Sequence, residues 1–133
     1  MASLRQERLI EVDPDTVWDA LRDWAGLADR LASGFVQNVT LDGADRIVTF
    51  DNGMVVRERL VAENDADRRL VWTVVDGPFA HYNGAAQVHA DDAQTRFEWR
   101  SDLLPDDLAG DVEAMMVRGI DAIKHTLEAN RRF

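Results

Sequence analysis

The sequence predicts an α+β domain, a curved antiparallel sheet of about seven strands wrapped on a long C-terminal helix, with two short helices after the first strand. Apolar residues recur every three or four positions near both ends of the chain, as is typical of helices. Between these segments they recur at every second position, as is typical of strands. Tight turns separate successive strand segments, which favours antiparallel pairing. The 133 residues have the length of one domain, 1–133.

The N-terminal segment predicts the first strand and the two short helices. Residues 3–12 alternate weakly and are expected to form the strand. Asp13-Pro14 is a favourable helix start, because Asp caps free N–H groups and Pro fits the first turn. One helical face then carries Val17, Leu21, Trp24, Ala28 and Leu31. Gly26 is expected to divide this run into helices over 14–24 and 27–32.

The middle of the chain predicts the rest of the sheet. Asn52-Gly53 between two alternating runs is a strong hairpin signal, and Asp42-Gly43 marks an earlier turn. Strands are therefore expected around Val39 and Leu41, and over 46–51, 54–62, 69–75, 80–90 and 95–103.

The last segment, 106–133, predicts the long helix. Acidic residues lie at its start, and Lys124, Arg131 and Arg132 lie near its end, as the helix dipole favours. Its apolar stripe consists of Val112, Met116, Ile120, Ile123 and Leu127, widened by Met115 and Gly119. We expect this stripe to pack on one face of the sheet.

Composition indicates a globular protein and excludes several classes of function. The chain is 46% hydrophobic and 30% charged. Its net charge of −10 repels phosphate backbones, so no nucleic acid is expected as a partner. It has no cysteine, which excludes disulfides and thiolate sites. His81, His89 and His125 are scattered and expected at the surface, so we expect no metal and no cofactor.

The sequence also predicts where in the cell the protein is located. No apolar run approaches the ~20 residues that a membrane span needs. Arg5, Glu7 and Arg8 interrupt the first ten residues, which therefore lack the apolar core of a signal peptide. We expect a cytoplasmic protein without a membrane span.

Alternation assigns the side chains of each strand to the two faces of the sheet. On the last strand, Arg96, Glu98, Arg100 and Asp102 share the face that is expected in solvent. The inward set is then Met54, Val56, Glu58, Leu60, Leu70, Trp72, Val74, Tyr82, Gly84, Ala86, Val88, Phe97, Trp99, Ser101 and Leu103. Roofed by methionines, such a wall suits a ligand pocket, although large side chains also fill ordinary cores.

Glu58 is the residue that this pattern singles out. A carboxylate among apolar neighbours is costly to bury unless it is paired or hydrogen-bonded. Three roles stay open: a ligand contact, proton transfer, or a structural group satisfied by Tyr82, the backbone or an arginine. A register shift of one residue would instead turn Glu58 to solvent. Tyr82 and Ser101 are similarly open between ligand binding and structural hydrogen bonds.

Several motifs point to a known family by their order and spacing. They are Val12-Asp13-Pro14-Asp15-Thr16-Val17-Trp18, Asn52-Gly53 before Arg57-Glu58-Arg59-Leu60, Trp72, Pro78, Phe97-Glu98-Trp99, Pro105 and Gly119-Ile120-Asp121-Ala122-Ile123-Lys124. Together they resemble the START/birch-pollen-allergen (SRPBCC) superfamily, and within it the polyketide cyclase/dehydrase-like branch. The resemblance covers the whole chain and implies the helix-grip fold, with a cavity between sheet and helix.

The resemblance also implies which side chains line that cavity. They are Trp24, Phe35, Phe50, Val56, Glu58, Trp72, Val74, Tyr82, Phe97, Trp99, Ser101, Met115, Met116 and Gly119. It does not extend to nucleotide-related or metal-dependent activities, because the chain has no glycine-rich loop of the plant-allergen type and no metal-binding constellation.

Three functions follow as hypotheses. The leading one is binding of a small hydrophobic or aromatic metabolite, such as a lipid, an isoprenoid or a polyketide-like compound, without catalysis. The alternative is a polyketide aromatase/cyclase or dehydratase in which Glu58 and Tyr82 handle protons. The third is a protein-interaction domain like the co-chaperone members, against which the charged outward residues count. The sequence leaves open the ligand, any reaction, and the choice between monomer and homodimer.

Overall fold

In the computed structural model, which describes residues 1–131, a long helix crosses one face of a seven-stranded sheet. The strands are β1 (Ala2–Ile10), β2 (Val36–Asp42), β3 (Asp45–Phe50), β4 (Val55–Asn64), β5 (Arg69–Val74), β6 (His81–Asp91) and β7 (Gln94–Leu104). Their order is β1-β7-β6-β5-β4-β3-β2, and every neighbouring pair is antiparallel. The predicted α+β helix-grip fold is confirmed.

Helix α1 (Pro14–Arg22) begins at the predicted start signal. The Asp13 carboxylate accepts hydrogen bonds from the Thr16 backbone N–H at 3.0 Å and from the Thr16 hydroxyl at 2.6 Å. This cap satisfies one of the free N–H groups that every helix start exposes.

The second short helical segment is tighter and then wider than an α-helix. A 3-10 turn at Trp24–Gly26 leads into a wide turn at Leu27–Leu31, where the Ala32 N–H donates to the Leu27 carbonyl at 2.8 Å. Gly26 permits the break, because a Cβ there would lie 2.8 Å from the Asp23 carboxyl group. The two short helices expected after β1 are thus present, with the second shaped as a π-type turn.

The long helix α2 spans Ala109–Asn130 and follows a 3-10 turn at Asp106–Leu108. It therefore begins one turn later than predicted, because Pro105 precedes a tight turn closed by a hydrogen bond from the Leu108 N–H to the Pro105 carbonyl. The predicted extension through Arg132 to position 133 lies outside the described residues.

Polar contacts fasten the C-terminal half of α2 to the N-terminal strand. Lys124 Nζ donates to the Leu9 carbonyl at 2.6 Å, and the Glu128 carboxylate accepts from the Glu11 N–H at 2.9 Å. The N-terminal half of α2 contributes wall residues such as Met115 to the space over the sheet. The C-terminal half is thus fastened to β1, while the N-terminal half supplies most of the residues by which α2 lines the cavity.

Glu98, on the outer face of the sheet, is a correction to the sequence prediction. It is 6% exposed, whereas the alternation of β7 had placed it in solvent. Its carboxylate accepts hydrogen bonds from Arg5 Nε at 2.5 Å and Arg100 Nη2 at 3.0 Å, and lies 3.2 Å from His89 Nε2. Long side chains from neighbouring strands cover this position, so the periodicity of one strand gives the face but not the burial.

The Glu98 network predicts a pH-dependent part of the stability. Burial would raise the pKa of Glu98, but hydrogen bonds from Arg5, Arg100 and His89 outweigh it and lower the pKa from 4.5 to about 2. Because the folded pKa is the lower one, this stabilisation is present above pH 4.5 and is lost as the pH falls towards 2. We expect Glu98→Gln to cost about 2 kcal/mol at pH 6, allowing for the exposed arginines.

The measurement is urea unfolding of both proteins between pH 2 and pH 7. The difference in unfolding free energy between them should shrink towards zero as the pH approaches 2. A difference that stays constant over this range would contradict the assignment.

Leu60 is a second correction, because it does not join the core as the inward set predicts. It pairs with Trp72, but the register of β4 shifts between Leu60 and Ala62. Such a bulge bends and twists the strand. Leu60 is therefore 38% exposed, whereas Trp72 is 7% exposed.

Candidate functional site

A partly open cavity of about 90 Å³ lies among the inner face of the sheet, the wide turn at Leu27–Leu31 and α2. Most of its wall is apolar, and the ionisable side chains in the wall are Arg46, Glu58 and Tyr82. Several wall side chains are only partly buried: Leu27, Met54, Val74, Phe79, Trp99 and Met115. This combination of an apolar wall, a few polar groups and an opening is typical of small-molecule sites.

The structure places most of the predicted site residues in the wall of this cavity. They are Phe35, Phe50, Val56, Glu58, Trp72, Val74, Tyr82, Phe97, Trp99, Met115 and Met116. Whether they contact a ligand stays a prediction.

Trp24, Ser101 and Gly119 lie behind the wall instead of in it. Gly119 leaves room for two aromatic rings of the wall. A Cβ there would lie 2.8 Å from Trp99 Cζ3 and 2.9 Å from Phe35 Cε2. The Trp24 Nε1–H donates to the Ala44 carbonyl at 3.2 Å. Ser101 is 1% exposed. Strand and helix periodicity identifies the inward side but not the depth at which each side chain ends.

Other wall residues were absent from the predicted site. They are Leu21, Leu27, Leu31, Ala32, Arg46, Met54, Phe79, Ala86, Val112 and Ile123. Many of them belong to the predicted helix stripes or the inward strand set, so the same periodicity could have identified them as wall residues. Arg46 is different, because nothing in its local pattern marks a buried arginine.

Arg46 and Glu58 form a buried ion pair in the cavity wall. Arg46 Nε donates to Glu58 Oε1 at 2.8 Å, and the two side chains are 4% and 8% exposed. Arg46 Nη1 donates to the Trp24 carbonyl at 3.1 Å, and its guanidinium carbon lies 3.7 Å from the centroid of the Trp24 ring. Burial lowers the pKa of Arg46, and the adjacent Glu58 opposes that effect. Of the partners that the sequence left open for Glu58, the structure provides an arginine.

The register of the β3–β4 hairpin brings this pair together. Its loop holds three residues, 51–53, because the Phe50 N–H donates to the Met54 carbonyl at 2.9 Å. Gly53 completes the loop at φ +86°, a conformation that glycine adopts without strain. Arg46 then lies directly opposite Glu58. Paired residues share a face, so both side chains point inward.

Tyr82 and Ser101 make a second buried polar contact. Their hydroxyl oxygens lie 2.7 Å apart, and either can donate. Burial raises the pKa of Tyr82 far above its usual value, the Ser101 hydrogen bond opposes this, and the charge of Glu58 adds to it. The phenol therefore keeps its proton at neutral pH, where it can donate a hydrogen bond but does not act as a base.

Two indole rings shape the wall beside this contact. Trp72 and Trp99 have ring centroids 6.4 Å apart. Trp72 lies against the backbone of Gly84, where a Cβ would come within 2.4 Å of Trp72 Cε2. The Trp99 Nε1–H is buried, and no acceptor within residues 1–131 completes a hydrogen bond with it. It is close enough to Tyr82 for the Trp99 side chain to lower the pKa of that phenol slightly.

The part of the chain that the structure describes contains neither a metal-binding cluster nor a membrane-spanning helix. Residues 1–131 contain no group of three or more His, Asp or Glu side chains arranged to hold a metal ion. His125 is exposed, and His81 and His89 are partly buried. Within the same residues, no helix is both long and apolar enough to cross a membrane.

Comparison with known proteins gives a family and a set of related folds. A family model described as polyketide cyclase/dehydrase and lipid transport matches residues 1–129. No curated protein sequence gives a significant match.

Solved structures resemble the chain over nearly its full length. The protein XoxI from Bacillus cereus has 21% identity and a TM-score of 0.85, covering 99% of this chain and 100% of that one. A putative uncharacterized protein from Bacillus thuringiensis has 22% identity and a TM-score of 0.83, covering 95% and 98%. Ara h 8.0201 has 18% identity and a TM-score of 0.74, covering 97% and 99%. At such identities the likeness shows a shared fold.

Proposed function

The chain belongs to the polyketide cyclase/dehydrase and lipid transport family, and we propose that it binds a small hydrophobic or aromatic metabolite in the cavity under α2. A lipid, an isoprenoid or a polyketide-like compound fits this description. The observation that carries the proposal is the partly open, mostly apolar cavity between helix and sheet. The binding unit is the single domain 1–133.

The cavity is small for the proposed ligands. Its volume of about 90 Å³ is below the ~150 Å³ of an engineered protein cavity that binds benzene. A ring-sized ligand would therefore displace wall side chains or extend into the opening of the cavity. Methionines suit this movement because they are unbranched and flexible, and Met54, Met115 and Met116 all lie in the wall.

The predicted wall residues are the proposed ligand contacts. Aromatic rings such as Phe97 and Trp99 offer large apolar surfaces, and the polar groups of Glu58 and Tyr82 orient the ligand. Trp24, Ser101 and Gly119 support these contacts from behind.

The test is titration with N-phenyl-1-naphthylamine, a neutral dye that fluoresces on entering an apolar site. We expect saturable binding and at least a tenfold loss of affinity in Met115→Trp, because the larger ring occupies the cavity. Ala114→Trp is the matched control, since Ala114 is the exposed neighbour of Met115 on the same helix. It should change the affinity less than twofold.

Two results would count against the proposal. One is a dye signal that rises linearly without saturation. The other is equal binding by the two tryptophan variants when both remain folded. Native mass spectrometry of the purified protein is an independent test. Detection of a bound small molecule of defined mass would support the proposal.

Catalysis is the second candidate function, as a polyketide aromatase/cyclase or dehydratase. The observation that favours it is that Glu58 and Tyr82 line the same apolar cavity, where a carboxylate and a protonated phenol could move protons. If the protein is such an enzyme, it turns over a poly-β-ketone, and Glu58→Gln and Tyr82→Phe each abolish that turnover. Binding without turnover leaves the first proposal in place.

A further inference from the structure

We infer that the ligand of this cavity is a neutral hydroxyl compound, a phenol, enol or alcohol, whose O–H donates a hydrogen bond to Glu58 Oε2. This inference rests on the proposed binding function and narrows it to a chemical class. It distinguishes hydroxylated ligands from plain hydrocarbons and from carboxylic acids such as fatty acids.

The first observation is a carboxylate oxygen without a hydrogen-bond donor. Glu58 Oε1 accepts from Arg46 Nε, whereas no donor within residues 1–131 bonds to Oε2. A carboxylate accepts up to about four hydrogen bonds. The Glu58 side chain is 8% exposed, so Oε2 has limited access to water and is available to a donor that enters the cavity.

The second observation is the surroundings of that oxygen. Glu58 lines the cavity among apolar side chains such as Val56 and Val74. A donor on the ligand would therefore bond to it in mostly apolar surroundings, where charge-assisted hydrogen bonds are strong. An O–H group that enters this cavity can donate a hydrogen bond to this oxygen, whereas a methyl group of similar size cannot.

Charge decides between a hydroxyl group and an anion. A ligand carboxylate would approach the negative charge of Glu58 inside a protein of net charge −10. Arg46 also lines the cavity, but its Nε and Nη1 donate to Glu58 and to the Trp24 carbonyl, and its plane covers the Trp24 ring. Glu58 balances the charge of this guanidinium, whose Nη2 keeps N–H groups without a hydrogen-bond partner among residues 1–131. A hydroxyl group, which both donates and accepts, therefore suits the pair better than an anion that Glu58 repels.

The experiment uses three single-ring probes that differ in one group: phenol, toluene and benzoate. Phenol and toluene have nearly the same shape but differ in the O–H donor, and benzoate carries the negative charge. Binding is followed through the methyl NMR signals of Met115 and Met116, which lie in the wall. The measured quantity is the ratio of the toluene dissociation constant to that of phenol.

We expect Glu58→Gln to lower this ratio about tenfold, because a charge-assisted hydrogen bond to the carboxylate is replaced by a weaker one with a neutral amide. The double variant Arg46→Met/Glu58→Leu removes both charges and should lower the ratio as much while keeping toluene binding. Glu98→Gln is the matched control, a buried carboxylate on the opposite face of the sheet, and should leave the ratio unchanged. Benzoate should bind at least tenfold more weakly than phenol.

Each outcome has one meaning. If phenol and toluene bind but neither Glu58 variant changes the ratio, the hydroxyl inference is wrong and the binding function stands. If benzoate binds most tightly, Arg46 recognises an anion and the inference is wrong. If none of the probes binds, and the naphthylamine dye does not bind either, the proposed function itself fails.

Discussion

Replacing Arg46 by Met should lower the free energy of unfolding by about 3–5 kcal/mol, because it leaves the Glu58 carboxylate buried and unpaired. The two side chains are 4% and 8% exposed and joined by a hydrogen bond of 2.8 Å. Arg46 also holds the Trp24 carbonyl and stacks on the Trp24 ring. A loss of this size is a large part of the stability of an ordinary domain. Urea unfolding monitored by circular dichroism measures it.

The double variant Arg46→Met/Glu58→Leu separates a missing partner from lost packing. Replacing both charges of a buried pair by apolar side chains is often neutral or stabilising, so it should recover most of the loss. Arg30→Met is the surface control, because Arg30 pairs with Asp19 and Asp23 while its side chain is 44% exposed. It should cost less than about 1 kcal/mol. If Arg46→Met and Arg30→Met lowered the free energy of unfolding equally, burial of the Arg46–Glu58 pair would not explain the loss.

Gly84→Ala is the second substitution with a large expected effect. The new Cβ would lie 2.4 Å from Trp72 Cε2 and 2.5 Å from Trp72 Cζ2, so the indole must move. The clash involves the fused ring system instead of a flexible chain end, and the ring lies in the cavity wall. We expect a loss of about 2 kcal/mol, which lowers Tm by roughly 8 °C for a domain of this size.

Gly110→Ala provides the control for the added methyl group. A Cβ at Gly110 would have no heavy atom within 4 Å, and the residue is exposed in α2. Alanine favours a helix interior over glycine by about 1 kcal/mol, and Gly110 lies in the first turn, so Tm should rise slightly. Because Trp72 moves in Gly84→Ala, the near-ultraviolet circular dichroism should change in that variant alone. An unchanged Tm in Gly84→Ala would mean that the ring has room to shift.

Strand and helix periodicity predicted the fold well because it depends on local sequence. Val112, Met116 and Ile123 follow the spacing of a helix face and are buried on α2. Phe97 and Trp72 follow the alternation of strands and lie in the cavity wall. In such segments each side chain's direction is fixed by the backbone repeat.

Local pattern did not predict burial where the neighbours come from distant segments. Glu98 has the outward direction that alternation assigns, yet Arg5 from β1 covers it. Ser101 has the inward direction, but the larger Tyr82 and Trp99 side chains form the wall in front of it. Depth depends on the size and position of side chains far away in the sequence.

Local periodicity predicted the antiparallel sheet, the long helix over it and the inward position of Glu58. The residue that faces Glu58 became clear from the folded hairpin alone. A two-residue Asn52-Gly53 turn would pair Glu58 with Ile47, whereas the three-residue loop 51–53 pairs it with Arg46. One extra loop residue shifts every cross-strand pair in a hairpin, although the alternation within each strand stays the same, so periodicity within a strand does not identify the partner.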